Sequence, residues 1–155
     1  MPPRFPLIMW LPPPLYYAVT FLVAFGIQTL TPLKGFAFPS PVVLVGLVVL
    51  AGGLFCALGS VFLFMSQRTT LVPHGTPKRL VVSGAYRFTR NPMYLGLALV
   101  FVGLALRFNG VVPLLSLPLP VLLLDRVVIP FEQAHLRRTW PIEFSEYCSR
   151  VRRWI

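Results

Sequence analysis

Acidic side chains are scarce in this chain of 155 residues, where four Asp and Glu stand against fourteen Lys and Arg and give a net charge of +10. Cysteine and histidine are equally rare, with two of each. Cys56 lies in an apolar run and Cys148 in a basic tail, so a structural disulfide would have to join the bilayer centre to its surface. His74 and His135 lie in separate segments without clustered carboxylates, so we expect no metal site.

Several motifs of soluble proteins are also missing. The sequence contains no Ser-His-Asp arrangement and no glycine loop of the kind that cradles phosphates. It shows no recognisable DNA- or RNA-binding module, although its charge is strongly basic. The basic residues instead form two clusters beside apolar segments, as expected near anionic lipid headgroups. We therefore expect membrane lipids rather than nucleic acid as partners.

Apolar residues are abundant: 56% of the chain is hydrophobic, 12% is charged, and the mean hydropathy is +0.76. A small soluble core cannot use so much apolar side chain, so the chain belongs in a bilayer. Its length suits one domain, residues 1–155, because a spanning helix needs roughly 20 residues. The composition predicts an all-α integral membrane bundle of about four transmembrane helices.

Four apolar runs supply those helices, at residues 15–30, 42–65, 92–106 and 111–131. The second is the strongest, with 24 residues and no charge. Its small residues Gly46, Gly53 and Ser60 recur at intervals of seven, which predicts close packing against a neighbouring helix. The third would be about 22 Å long and short of the hydrocarbon core, so the bilayer thins there or the helix lies partly inside the bundle.

Lys and Arg predict the orientation. Five lie in the 66–91 loop and six in the 126–155 tail, whereas the turns at 31–41 and 107–110 carry one each. By the positive-inside rule, both termini and the 66–91 loop face the cytoplasm of an inner membrane. From residue 132 onward, arginines mix with aromatic and aliphatic residues, which predicts an amphipathic helix on the cytoplasmic membrane surface.

One stretch, residues 83–96, joins the basic loop to the third apolar run. Asn91 is a suitable N-cap, and Pro92 fits the first helical position, where no backbone donor is needed. Arg87 and Arg90 lie just before this helix start, so its positive dipole end and the two guanidinium groups could form an anion site. Tyr and Arg are also common interfacial anchors, and both explanations fit the stretch taken alone.

The segment 80–86, read together with 90–96, resembles the signature of integral-membrane isoprenylcysteine carboxyl methyltransferases and phospholipid methyltransferases, most closely their small bacterial members. The resemblance extends over about residues 70–155, where further positions follow at the family's spacing: Ile129, Glu132, Leu136, Phe144, Tyr147, Arg150, Val151, Arg152 and Arg153. It implies an enzyme that transfers a methyl group from S-adenosylmethionine to a lipophilic or amphiphilic acceptor at the cytoplasmic face of the membrane.

The resemblance also implies the site residues. Those expected to bind S-adenosyl-L-methionine are Lys78, Arg79, Leu80, Val81, Tyr86, Asn91, Pro92, Met93, Tyr94 and Glu132. The helix start would offer N–H groups to the cofactor carboxylate, and Glu132 would accept from its ammonium or ribose hydroxyls. Tyr86 and Tyr94 present aromatic faces suited to a sulfonium cation.

Catalysis is assigned to Glu132, Tyr94 and Arg90, and contact with the acceptor to Arg87 and Arg126. An acidic residue at the end of an apolar run is costly, which favours a functional role for Glu132. The alternative is an ion pair with Arg90 or Arg126. Asp125 and Arg126 are adjacent, and we interpret them first as a charge-balancing pair.

The sequence departs from the family pattern at three positions. Many members have His where Asn91 stands, a Glu-Glu pair appears here as Glu132-Gln133, and Val128 stands where a substrate-facing Arg is common. These changes leave open a catalytically degenerate member that binds a lipid or a protein partner. The acceptor, the atom methylated and the oligomeric state are also open. A small transporter is not favoured, because no internal repeat or mid-span charge is present.

Overall fold

The computed structural model describes residues 11–67 and 80–155, and all regular structure in these two ranges is helical. The α-helices are α1 (Pro13–Thr29), α2 (Ser40–Ser66), α3 (Pro92–Arg107), α4 (Val111–Ser116), α5 (Pro118–Leu123), α6 (Ile129–Thr139) and α7 (Pro141–Arg150). Short 3-10 helices cover Pro32–Gly35 and Gly84–Arg87, and a π-helical turn covers Leu124–Val128. The predicted all-α class is confirmed.

Two described helices are long and apolar enough to cross a membrane: α2, and the continuous helical run Val111–Thr139 that joins α4, α5, the π-helical turn and α6. We call this run the last helix. The third apolar helix, α3, is shorter, at 16 residues. The last helix continues beyond residue 131, where the sequence predicted its end, so Glu132 lies within it. The separate C-terminal helix is α7.

Glycines bring α2 and α3 into backbone contact. A Cβ on Gly53 would lie 2.6 Å from the Val100 nitrogen, and one on Gly96 would lie 2.6 Å from the Ala57 nitrogen. Gly46 and Gly103 repeat this close approach two turns away, so only hydrogen fits at all four positions. The close packing predicted from the spacing in α2 is confirmed, and α3 carries the matching surface.

The opposite side of α3 packs against α1 and the last helix. Buried side chains from all three meet there, including Tyr17, Phe101, Leu124 and Ile129. The Phe101 ring contacts Tyr17 edge-on, with ring centroids 6.1 Å apart. Tyr16 and Tyr17 are thus core residues.

Two turns meet at one end of the bundle. Gln28, buried in α1, donates from Nε2 to the carbonyl of Asn109 at 2.8 Å and accepts from the Val112 N–H at 3.0 Å. Asn109 has a φ of 55°, in the left-handed region that Asn tolerates, and its Oδ1 accepts from the Phe38 N–H at 2.8 Å. Both connections therefore lie at one end of the bundle. Residues 80–91, the described part of the arginine-rich loop next to α3, and the C-terminal tail lie at the other.

Candidate functional site

The site begins in the loop before α3. Gly84 turns this loop with a φ of +59°, which an L side chain rarely adopts, and the following 3-10 helix carries Tyr86. Pro92 occupies the first turn of α3, as predicted. Asn91 does not cap the helix with its side chain, contrary to our expectation. Its Nδ2 instead donates to the Arg153 carbonyl at 2.8 Å, because the C-terminal residues run alongside this loop.

Tyr94 and Glu132 meet across the bundle. The Tyr94 hydroxyl donates to the Glu132 carboxylate at 2.5 Å, which joins the first turn of α3 to α6. The Tyr94 side chain is buried, and Tyr17 donates its own hydroxyl to the Tyr94 carbonyl at 3.4 Å. Two catalytic candidates from separate parts of the sequence are therefore neighbours.

The alternative ion pair of Glu132 does not form among residues 11–67 and 80–155. Arg126 lies 3.5 Å from Asp125, which confirms that adjacent pair, and its side chain is 79% exposed. Arg90 turns towards α7, where Nη1 donates to the Cys148 sulfur at 2.7 Å. The Arg90 Nε is buried without a partner in the part of the chain that the structure describes.

Tyr86 lies near the same carboxylate. Its ring contacts Phe64 of α2 edge-on at 5.5 Å, and its backbone carbonyl accepts from the Tyr147 hydroxyl of α7 at 2.7 Å. Burial raises the pKa of Tyr86, and the charge of Glu132 raises it further. The phenol therefore stays protonated at neutral pH. Two tyrosines and one carboxylate converge at the start of α3.

The C-terminal residues contact both the loop before α3 and the last helix. The Arg90 N–H donates to the Arg152 carbonyl at 3.0 Å, and the Thr89 hydroxyl donates to the Arg153 carbonyl at 3.1 Å. The Arg153 guanidinium contacts Asp125 and Gln133 of the last helix, each at 3.3 Å. We call residues 151–154 the C-terminal strap, because they connect the loop before α3 to the last helix.

Arg87 and Arg126, the two expected acceptor contacts, are not adjacent to the Tyr94 and Glu132 pair. Arg87 lines a separate cleft of about 420 Å³ between its loop and α7. The cleft residues are Leu80, Val82, Arg87, Glu143, Glu146, Tyr147, Arg150 and Val151. Of the cofactor candidates before Tyr86, Leu80 therefore borders the cleft and Val81 is buried. Lys78 and Arg79 lie outside the described residues.

Within residues 11–67 and 80–155, no group of three or more His, Cys, Asp or Glu side chains is close enough to bind an ion. His135 is partly buried in α6, and His74 lies outside the described residues. Cys56 and Cys148 are both free thiols.

Comparison with known proteins assigns the chain to a family. The profile of a family described as phospholipid methyltransferase matches residues 41–142, which is 102 of 155 positions. The chain belongs to the phospholipid methyltransferase family. No curated protein and no solved structure matches the chain.

Membership of the phospholipid methyltransferase family indicates a methyltransferase that acts on lipid-like acceptors. The matched range contains α2, α3 and the last helix, and therefore both Tyr94 and Glu132. It starts earlier than the motif resemblance, which began near residue 70.

The sequence did not predict the contacts that Tyr17 and the C-terminal strap make with the site. Tyr17 carries only the general signal of a tyrosine at a helix start, and backbone carbonyls carry no sequence signal.

Proposed function

We propose that the protein transfers a methyl group from S-adenosylmethionine to a lipophilic or amphiphilic acceptor at the cytoplasmic face of an inner membrane. The observation that carries this proposal is the hydrogen bond between Tyr94, at the start of α3, and Glu132 of the last helix, next to the loop that carries Tyr86. These residues lie at the arginine-rich end of the bundle, beside apolar helices. A cationic cofactor and an apolar acceptor could both reach that location.

The donors and acceptors present fit this cofactor. Glu132 offers a carboxylate to an ammonium group or a ribose diol, and within the described ranges one hydrogen bond, from Tyr94, engages it. The first turn of α3 has no side-chain cap, so backbone N–H groups are available for a carboxylate. The buried Nε of Arg90, which lacks a partner in the described chain, adds a charged donor. Pro92 and Met93 provide apolar surface at the helix start, and Lys78, Arg79, Leu80 and Val81 precede it in sequence.

S-adenosylmethionine supplies a methyl group already activated on a sulfonium, so the protein's contribution is chiefly alignment of the reacting groups. Tyr86 and Tyr94 present aromatic faces that stabilise a cation. Glu132 accepts the proton that an amine, thiol or hydroxyl acceptor loses, and Tyr94 orients its carboxylate. Arg90, held between the Arg152 carbonyl and Cys148, orients the acceptor headgroup. Arg87 and Arg126 bind anionic groups of lipids further out.

Four membrane crossings with both termini in the cytoplasm fit this assignment. The turns joining α1 to α2 and α3 to α4 share one end of the bundle through Gln28 and Asn109. Each turn carries one basic residue, whereas the described residues 80–91 and the arginine-rich tail lie at the opposite end. The positive-inside rule then locates the site on the cytoplasmic side, where the cofactor is available.

Calorimetric titration of the detergent-purified protein with S-adenosylmethionine tests the cofactor. We expect saturable binding that Glu132→Gln weakens by about tenfold, which corresponds to the loss of one charge-assisted hydrogen bond. Glu146→Gln is the matched control, because Glu146 is exposed on α7 and pairs with Arg150. No binding to folded wild type, or equal binding by both variants, would contradict the proposal.

A non-catalytic lipid-binding member is the alternative function. Asn91 and Gln133 favour it. Many members of the resembled family have His and Glu at these two positions, and here both side chains contact the C-terminal strap. Membranes containing the overproduced protein, incubated with methyl-labelled S-adenosylmethionine, separate the two. Labelled lipid or small-molecule product above that of membranes without the protein supports the enzyme. Cofactor binding without product supports the alternative.

A further inference from the structure

We propose that Arg153 is a positioning residue and that the C-terminal strap fixes the distance between Tyr94 and Glu132. This inference rests on the proposed function, since it concerns the alignment of the same site. The strap contacts both elements that carry the pair: the loop leading into α3 and the last helix. Arg153 is its central residue, because its backbone serves one side and its guanidinium the other.

On the α3 side, backbone carbonyls of the strap accept three hydrogen bonds. The Arg153 carbonyl accepts from both Asn91 Nδ2 and the Thr89 hydroxyl, at 2.8 and 3.1 Å. The Arg152 carbonyl accepts from the Arg90 N–H at 3.0 Å. Thr89 and Asn91 are buried, so water does not readily replace these bonds. The chain reaches Tyr94 within one helical turn of Asn91.

On the other side, the strap is bound to the last helix by side chains. Arg153 Nη1 contacts Asp125 at 3.3 Å, while its Nη2 donates to Gln133 Oε1 at 3.3 Å. The indole of Trp154 donates to the same Asp125 oxygen at 2.9 Å and packs against the buried core. Gln133 is itself buried and directly follows Glu132. The planar guanidinium suits two acceptors at once, whereas a lysine ammonium does not offer that fork.

Arg153 of the strap therefore connects Asn91 to Gln133. Asn91 lies three residues before Tyr94, and Gln133 lies one residue after Glu132. Loss of the guanidinium contacts leaves the carbonyl contacts in place, so the helix start stays held. The last helix keeps the Trp154 bond to Asp125 and loses the contact at Gln133, which is next to Glu132. The expected effect is a longer or variable Tyr94–Glu132 distance with the cofactor contacts of the loop retained. Catalysis that depends on alignment is sensitive to displacements of about 1 Å.

The test compares Arg153→Ala and Arg153→Lys with Arg152→Ala, whose side chain is exposed and whose backbone carbonyl is unchanged. Labelled methyl transfer is measured in membranes containing each protein. We expect Arg153→Ala to lower kcat by about 10- to 100-fold, in line with a misplaced reacting group, with KM for S-adenosylmethionine changed by less than about threefold. Arg153→Lys should recover part of kcat, and Arg152→Ala should match wild type.

Hydrogen–deuterium exchange of the detergent-purified proteins gives a second readout that needs no activity. Arg153→Ala should speed amide exchange in residues 129–135 more than Arg152→Ala does. Unchanged exchange there, or an unchanged kcat per folded protein in Arg153→Ala, overturns the positioning role and leaves the proposed function standing. If wild type transfers no label, the proposed function fails and the positioning role fails with it. If Arg153→Ala does not fold, a wild-type kcat in Arg153→Lys overturns the proposal.

Discussion

Gly53 of α2 and Gly96 of α3 are in backbone contact: a Cβ added to either would lie 2.8 Å from the carbonyl oxygen of the other. Neither position has space for a methyl group. The preceding residue, Gly52, faces away from α3, and a Cβ added there would have no atom within 4 Å. Gly52 and Gly53 are adjacent in sequence but differ in packing, so substituting each in turn tests how much the close contact of α2 with α3 stabilises the fold.

We expect Gly53→Ala to destabilise the protein by about 1–3 kcal/mol, because α3 must move away to admit the methyl group. Gly52→Ala should be neutral or slightly stabilising, since alanine favours the helix. Thermal unfolding of both variants in the same detergent measures the difference. Equal unfolding temperatures would contradict the packing described for α2 and α3.

The second prediction concerns the Tyr94 hydroxyl. Tyr94→Phe keeps the ring and removes the hydrogen bond to Glu132, so binding of S-adenosylmethionine should persist while kcat falls by about tenfold or more. Tyr17→Phe is the control, because its hydroxyl donates to the Tyr94 backbone carbonyl at a longer 3.4 Å and leaves the Glu132 carboxylate untouched. Steady-state methyl transfer with labelled cofactor separates kcat from KM. An unchanged kcat in Tyr94→Phe would remove this residue from the catalytic assignment.

The third prediction concerns the buried amide of Gln28. Gln28→Leu should destabilise the protein by about 1–3 kcal/mol, because the Val112 N–H and the Asn109 carbonyl lose their partner away from water. Thr29→Val serves as the control, since its exposed hydroxyl donates to the Gly26 carbonyl within the same helix. Thermal unfolding again gives the measurement. We call the Gln28 contacts with Asn109 and Val112 the clamp. A smaller decrease in unfolding temperature for Gln28→Leu than for Thr29→Val would argue against a stabilising role of the clamp.

The fourth prediction tests orientation. In a background with Cys56 and Cys148 replaced by Ala, Lys34→Cys should react with a membrane-impermeant maleimide in intact cells. Ser145→Cys, exposed on α7, should react only after the membrane is broken. The positive-inside rule is the physical basis for this difference. The reverse labelling pattern would show the opposite topology, in which the site lies away from the cytosolic cofactor.

The sequence predicted the fold best where a local rule applies. Pro92 starts α3 because its missing N–H is not needed there, and the spacing of Gly46 and Gly53 indicated a packed surface. Gly96 and Gly103 of α3 have the same spacing of seven, which is the sequence signal of the matching surface. The end of the last helix was predicted wrongly, because its polar residues from 132 to 139 have the composition of a surface helix.

The site was predictable only in part. The resemblance selected Tyr94 and Glu132, which the structure brings together, although no local pattern links residues 38 positions apart. The predicted capping role of Asn91 was wrong, because its side chain turns to the Arg153 carbonyl, and the sequence does not show that the tail lies beside this loop. The strap contacts depend on backbone carbonyls of Arg152 and Arg153, and these are identical in every residue type.

The clamp formed by Gln28 and Asn109 has a mechanical consequence for how a bulky acceptor could be admitted. It joins α1 to the turn after α3 and to the last helix at one rim, through a Gln28 side chain that is itself buried. The C-terminal strap joins the start of α3 to the last helix at the opposite rim. The helices are thus joined at both rims, so an acceptor would reach Tyr94 and Glu132 from the lipid side with these two residues still in contact.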